Sequence, residues 1–290
     1  MEYGGKEWFE HMFSPASQGE DLWGHQWRAI QRYRYLITFE LVRECLSARS
    51  GQRILDLGCG LGDFTAMLHG ANPGNDVCGI DIAETAVAAA ARRFPEISFT
   101  SGALPEVQAP GLFDGISALE CINYLASAER NLAMRNIAAR LREGGWFLFS
   151  GHLSRAKADA RYFSEAEVLE NMRNAGFTIH TVKFNYAVLY SYCESPFLRA
   201  ANLAAKLEDP AAVAGGRLGR ALRAPAMGSV LRLAVRATAI PCKFVLRFLQ
   251  PVAFIRFMQW TGRCLLGEKG KSHIIVLGIK EAGGASSHGE

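Results

Sequence analysis

Residues 53–65 read RILDLGCGLGDFT, an apolar run that ends in glycines at three alternate positions, Gly58, Gly60 and Gly62, with Asp56 before them and Asp63 behind. Glycines packed this closely after a strand-forming run allow a sharp strand-to-helix turn and let the backbone approach a ligand. The chain must therefore contain a βα junction here, and the spacing then sorts the ligands. A dinucleotide site needs G-x-G-x-x-G, and Asp63 holds the position of its third glycine. Carboxylates before and at the helix start also oppose a pyrophosphate, the anion that a bare helix N-terminus would attract. The pocket suits a ligand that is not doubly anionic.

The next strand, DVCGIDI, ends in Asp81, 25 residues after Asp56, where a βαβ unit places a carboxylate that accepts from both hydroxyls of a ribose. S-adenosylmethionine meets these terms, with a ribose, a sulfonium, an ammonium and a carboxylate but no phosphate. LDLGCGLG and Asp81, followed by FDGISALECINYL, LREGGWFLFSG and YFSEAEVLENMRNAGF, resemble the class I S-adenosylmethionine-dependent methyltransferases of the small-molecule or lipid-acceptor type. The resemblance covers residues 25–190 and resumes at 272–280. It implies an α/β fold: a Rossmann-like, seven-stranded, mostly parallel sheet with helices on both faces. It also implies S-adenosylmethionine as cofactor and methyl transfer as the activity. Cofactor-binding positions are Asp56 on the methionine ammonium, Gly58, Cys59 and Gly60 in the loop, and Asp81 with Ile82 at the ribose. Gly102 stands where the family often has an acid for the adenine amino group, so the backbone of Gly102 and Ala103, with Leu104 against the ring, or the side chain of Glu106, takes that place. Leu119 completes the wall.

Strand and helix alternate through this region, which means a parallel sheet covered on both sides. RILDL, DVCGID, ISFT, FDGISAL and WFLFSG read as strands one to five, with helices near 62–70, 84–94, 127–142 and 164–175. Residues 1–24 are aromatic without a clean period and read as a partly ordered arm. A helix follows over HQWRAIQRYRYLITFELVRECL. FTIHTVKFNYAVLY reads as a strand whose partner, HIIVLGIK, comes only at 273–280. The roughly 80 residues between them far exceed an ordinary loop and make 191–271 an insertion before the last strand. The tail 281–290 reads as disordered.

Ligands of parallel sheets bind at the carboxyl ends of the strands, which brings three candidates for chemistry to one rim. Glu120, after the fourth strand, is an acid or base, a cofactor ligand, or a helix cap. His152, after the fifth, titrates near neutrality or is a surface histidine. Tyr124 bonds to the acceptor or only packs. A hydroxyl acceptor needs a group to take its proton and a neutral amine does not. In related folds a helix before the first strand closes over the cofactor, and Arg32 is the arginine chosen to clamp its carboxylate; a solvated charged face is the alternative.

Seven cysteines show no C-x-x-C pair, so reduced thiols are expected rather than disulfides or zinc, and no metal site is expected. The acidic, aromatic N-terminus lacks the pattern of a signal peptide, which points to a cytoplasmic protein. Net charge is only +4, yet from Pro210 to Gly267 nine basic residues occur without one Asp or Glu. This basic, apolar, helical segment is either a substrate cap or a surface for anionic membrane, where the protein would sit peripherally on the inner face. Arg232, Arg236, Lys243 and Arg247 fall on one helical stripe. Nucleic acid is not an expected partner, because Leu119, Glu120, Cys121 and Ile122 replace the motif of the base-methylating enzymes. The expected function is methyl transfer to oxygen or nitrogen of a small-molecule or lipid-linked acceptor. The alternative is a non-catalytic S-adenosylmethionine-binding module that docks on lipid or protein.

Overall fold

The computed structural model describes residues 2–14, 28–153, 162–208 and 251–281, together with Val245 and Leu249. The chain divides into two compact units, Met1–Asn185 with Lys271–Glu290, and Tyr186–Gly270.

The first unit is built on a seven-stranded sheet. Its strands are β1 (Arg53–Leu57), β2 (Asp76–Asp81), β3 (Ser98–Ser101), β4 (Phe113–Leu119), β5 (Leu141–His152), β6 (Phe177–Asn185) and β7 (His273–Lys280), in the spatial order β3-β2-β1-β4-β5-β7-β6. Only β7 runs against its neighbours. The order reverses between β1 and β4, and the carboxyl ends of the strands beside that switch point form the ligand crevice of such a sheet.

Two apolar layers hold helices on opposite faces, and the period-2 pleat assigns residues to them. Leu55, Leu57, Phe147, Phe149, Ile274 and Val276 face one cluster, which includes Met134 and Ile137 of α5 (Ser127–Arg140) and Val168 and Met172 of α6 (Glu165–Asn174). The alternate residues Ile54, Trp146, Leu148, Ile275 and Leu277 face the other, against Val42 and Leu46 of α2 (Ala29–Ser47) and Phe64 and Leu68 of α3 (Asp63–Ala71). Strands buried on both faces need continuous apolar runs, which is how WFLF and HIIVL read. Gly115 lets β4 and β5 pack, since a Cβ there would lie 2.0 Å from the Trp146 ring.

Two expectations change. The supposed arm contains a helix, α1 (Lys6–Phe13), which docks on α4 (Glu84–Arg93): the Glu10 carboxylate accepts from the backbone N–H groups of Glu84 and Thr85 at 2.6 and 3.2 Å and from Thr85 Oγ1 at 2.7 Å. A carboxylate at a helix N-terminus meets orphan donors and the positive end of the helix dipole, a tertiary partnership that the local period did not reveal. The strand read over FTIHTVKFNYAVLY stops at Asn185, and Val188 already begins α7 (Val188–Glu208).

The second unit contains α7, α8 (Val252–Leu266) and a short 3-10 turn (Gly267–Gly270). α8 buries Ile255, Met258, Gln259 and Gly262 on one stripe and exposes Phe257 and Trp260, 56% and 62% accessible, on the other, with Arg256 and Arg263 also exposed. No described helix is long and apolar enough to cross a membrane. The stripe Arg232, Arg236, Lys243 and Arg247 and the tail 282–290 lie outside the described residues.

Candidate active site

The glycine loop is fixed by the neighbouring strand. Gly58 and Cys59 donate their N–H groups to the Ile80 carbonyl at 2.8 and 3.0 Å, and Gly60 donates to Asp81 Oδ2 at 2.8 Å. Gly58 has φ +69°, and a Cβ there would lie 2.4 Å from Cys121 Cβ, so the turn admits only glycine. The other Asp81 oxygen accepts from Ala83 N at 3.0 Å. Each carboxylate oxygen has a second lone pair, so Asp81 is oriented by the backbone and still able to accept. Burial raises its pKa, against the pull of the Ala83 and Gly60 N–H groups.

Around this loop lies a cleft of about 1110 Å³ including its open mouth. Gly58, Cys59, Gly60, Asp81, Ile82, Gly102, Ala103, Leu104, Leu119, Glu120 and Tyr124 all line it, as does Glu106. Phe9 and Phe13 of α1 line it too. Phe9 packs edge-on against Tyr124 at 4.8 Å between ring centres, and Tyr3 and Trp8 flank the same ring at 5.7 and 5.9 Å.

Asp56 and Arg32 do not line the cleft. Asp56 is buried, its oxygens accepting from Thr65 Oγ1 and Ser117 Oγ at 2.7 Å each. It braces α3 and β4 against β1. Burial pushes its pKa up to about 6, partly offset by the Ser117 and Thr65 hydroxyls. Arg32 is exposed on α2, whereas Arg34, two residues on, is buried and reaches the cleft. Positions two apart on a helix point in nearly opposite directions, so choosing among clustered arginines required knowing the buried face.

Arg34 ion-pairs with Oε1 of Glu120. Glu120 has φ 59°, the only described non-glycine residue in the left-handed region, a conformation that costs about 1–3 kcal/mol. Its N–H donates to Ser150 O at 2.8 Å, so the chain turns out of β4 while still tied to β5. The turn aims the carboxylate at two histidines that stand opposite each other in the antiparallel β5/β7 register, His152 and His273. His152 Nε2 lies 3.1 Å from Oε2 and His273 Nε2 3.2 Å from Oε1. Burial alone would raise the Glu120 pKa, but Arg34, then His152 and His273, hold it well below the carboxylate range. Burial lowers His273 to about 4 despite the pull of Glu120. His152 is thus behind Glu120, outside the cleft lining. Neither His273 nor Arg34 was singled out from sequence; HIIVLGIK reads only as a strand until its register opposite SGH is known.

Residues 54–145 match a family described as a methyltransferase domain. Over 120 residues the chain is 28% identical to a ubiquinone biosynthesis O-methyltransferase of Bordetella avium, a match spanning 39% of this chain and 48% of that protein. The chain spans less than half the length of the curated relatives it matches. Among solved structures, the [4+2]-cyclase SpnF superposes with TM-score 0.54 at 20% identity, covering 87% of this chain and 83% of that one. Magnesium protoporphyrin IX methyltransferase from Synechocystis, with bound S-adenosylhomocysteine, gives TM-score 0.51 at 19% identity over 62% of this chain and 92% of that one. At such identities the structures establish the fold.

Residues 54–145 thus match a methyltransferase domain, on a fold shared with a methyltransferase that binds S-adenosylhomocysteine. The cleft fits S-adenosylmethionine by charge. Among the described residues its lining includes four acids, Asp63, Asp81, Glu106 and Glu120, and one cationic residue, Arg34, which is paired with Glu120. A sulfonium and an ammonium are favoured there, and a pyrophosphate is not. Asp81 would take the ribose hydroxyls, with Gly58 and Gly60 giving the backbone room to approach.

Proposed function

We propose that this chain methylates a hydroxyl oxygen on an apolar, lipid-like acceptor. The observation that carries this reading is the composition of the cleft beyond the glycine loop. Phe9, Phe13, Leu119, Tyr124 and Leu125 make an apolar wall, and Glu120 is the charged group set into it. Such a wall accepts an apolar body and orients one polar atom.

Bound S-adenosylmethionine supplies an electrophilic methyl group on a sulfonium. The protein's contribution is alignment, which supplies much of the rate in a displacement of this kind. Asp81 and the glycine loop hold one partner; Glu120, ionised and fixed by Arg34, accepts a hydrogen bond from the hydroxyl of the other. The name of the Bordetella relative supports an oxygen acceptor.

The exposed face of α8, with Phe257 and Trp260 between Arg256 and Arg263, supports a membrane-surface role for the second unit. Aromatic rings at headgroup depth with flanking arginines are how a helix lies in an anionic interface.

The test is to incubate the protein with S-adenosylmethionine and a panel of apolar phenols and alcohols in detergent, reading S-adenosylhomocysteine and a methylated product. Matched amines serve as the comparison. Methylation of hydroxyls over amines is expected; cofactor binding without turnover on any of them would return the chain to a binding module. Flotation should carry the protein with anionic vesicles and not with neutral ones, and Trp260→Ala with Phe257→Ala should abolish it.

A further inference from the structure

The cluster behind Glu120 gathers a carboxylate and two imidazoles. His273 Nδ1 lies 2.8 Å from Ser272 Oγ, which donates to the Asn185 carbonyl at 2.8 Å. His273 Nε2, buried and without a hydrogen-bond partner, lies 3.2 Å from Glu120 Oε1, the oxygen that Arg34 also holds.

We propose that Glu120, His152 and His273 form a binding site for a divalent transition-metal ion of the zinc, cobalt or manganese kind.

The geometry agrees with coordination. The three ligand atoms lie within 4.8 Å of one another, and the two carboxylate-to-imidazole separations are 3.1 and 3.2 Å. Around an ion with bonds near 2.0–2.1 Å, neighbouring ligands stand roughly 3.0 to 3.4 Å apart. Two histidines and one carboxylate leave positions open, as in catalytic sites. His273 also has the outer support that ligating histidines use, with Nδ1 2.8 Å from a hydroxyl that is itself bonded to a backbone carbonyl. Arg34 offsets the charge of Glu120, so affinity is expected to fall below that of a structural zinc site.

This inference rests on the proposed methyl transfer through Glu120, since an ion held behind it would fix the carboxylate that faces the acceptor. It is tested without turnover. The full chain, stripped with chelator, is titrated with Co²⁺ and followed by visible absorption and calorimetry. One ion per chain is expected, with ligand-field bands of a nitrogen and oxygen set, displaced by Zn²⁺. His152→Ala, at a half-exposed position that folding tolerates, should weaken Co²⁺ binding at least tenfold while leaving S-adenosylmethionine affinity within about twofold. No binding by wild type, equal binding by His152→Ala, or bands of thiolate ligation would each overturn the site. Methyl transfer that proceeds unchanged in chelator would leave a binding site but remove its part in the reaction.

Discussion

The two ends of the cleft solve opposite problems with the same kind of group. At the glycine-loop end, Asp81 has both oxygens met by backbone N–H groups of its own βα turn and of the adjacent one. At the other end, Glu120 sits in a left-handed turn and is surrounded by side chains drawn from α2, β5 and β7. The first end is finished by the backbone and needs only the ligand. The second stores strain, ties Glu120 Oε1 to Arg34, and leaves Arg34 Nε and His273 Nε2 without hydrogen-bond partners among the described residues. A cofactor end built from main chain suits a ligand shared by a whole fold, whereas an end built from side chains can change its acceptor without disturbing the loop.

The largest effect should come from breaking the side-chain end. Glu120→Gln removes the charge that pairs Arg34, which is only 3% exposed along its side chain. Leaving a buried guanidinium unpaired costs about 3–5 kcal/mol, and the open cleft beside Glu120 points to the lower figure. Urea unfolding of wild type and mutant measures it; a loss below about 1 kcal/mol would mean that water or the substituted amide satisfies Arg34, and the contrast between the two ends would weaken.

A second measurement sets Asp56 against Glu120. Both are carboxylates next to the β1/β4 switch, yet Asp56 is fully enclosed with hydroxyl partners and its pKa rises to about 6, while Glu120, partly exposed, has cations and its pKa falls. Between pH 3.8 and about 6 folded Asp56 keeps a proton that the unfolded chain has lost. Its contribution is therefore fully present below pH 3.8 and disappears as pH rises through 6, a change of about 3 kcal/mol. Asp56→Asn should lack this fall. Stability curves of wild type and mutant that stay parallel from pH 4 to 6.5 would exclude the shift.

Third in size is the cofactor end itself. Asp81→Ala should lower S-adenosylmethionine affinity at least about tenfold by calorimetry, since each charge-assisted bond to a ribose hydroxyl contributes roughly 1.5–3 kcal/mol. Asp81→Asn, which keeps an oxygen for Gly60 or Ala83, separates lost ribose contacts from a loosened loop.

What could be read in the sequence follows the same division. Local signals gave the loop, Asp81 and most helices, because closely spaced glycines and helix periods act within a few residues and the acid of the next strand follows one βαβ unit on. Ser164 and Glu167 cap α6 reciprocally. The strand alternation gave the sheet, because β strands buried on both faces must be apolar throughout. The Glu120 cluster was only half visible. Glu120 and His152 lie at strand ends, but His273 is 121 positions beyond His152 and meets it through an antiparallel register that the intervening insertion conceals. α1 escaped for a related reason: its stability comes from Glu10 on α4 and from Tyr124, not from its own period.

The smallest effect separates the two arginines of α2. Arg32 and Arg34 occur in the same short basic run, and local sequence favours neither. In the fold Arg32 points to solvent and Arg34 into the Glu120 cluster. Surface substitutions away from special features stay within about 0.5 kcal/mol, so Arg32→Ala should change stability by no more than that and S-adenosylmethionine affinity by less than about twofold. Arg34→Ala should lower stability and also tighten Co²⁺ binding, because removing its charge leaves Glu120 free to serve a cation alone. Calorimetry on both mutants reads the two ligands separately. If Arg32→Ala weakened the cofactor tenfold, the clamp would belong to Arg32 after a movement of α2, and the side-chain end of the cleft would have to be redrawn around it.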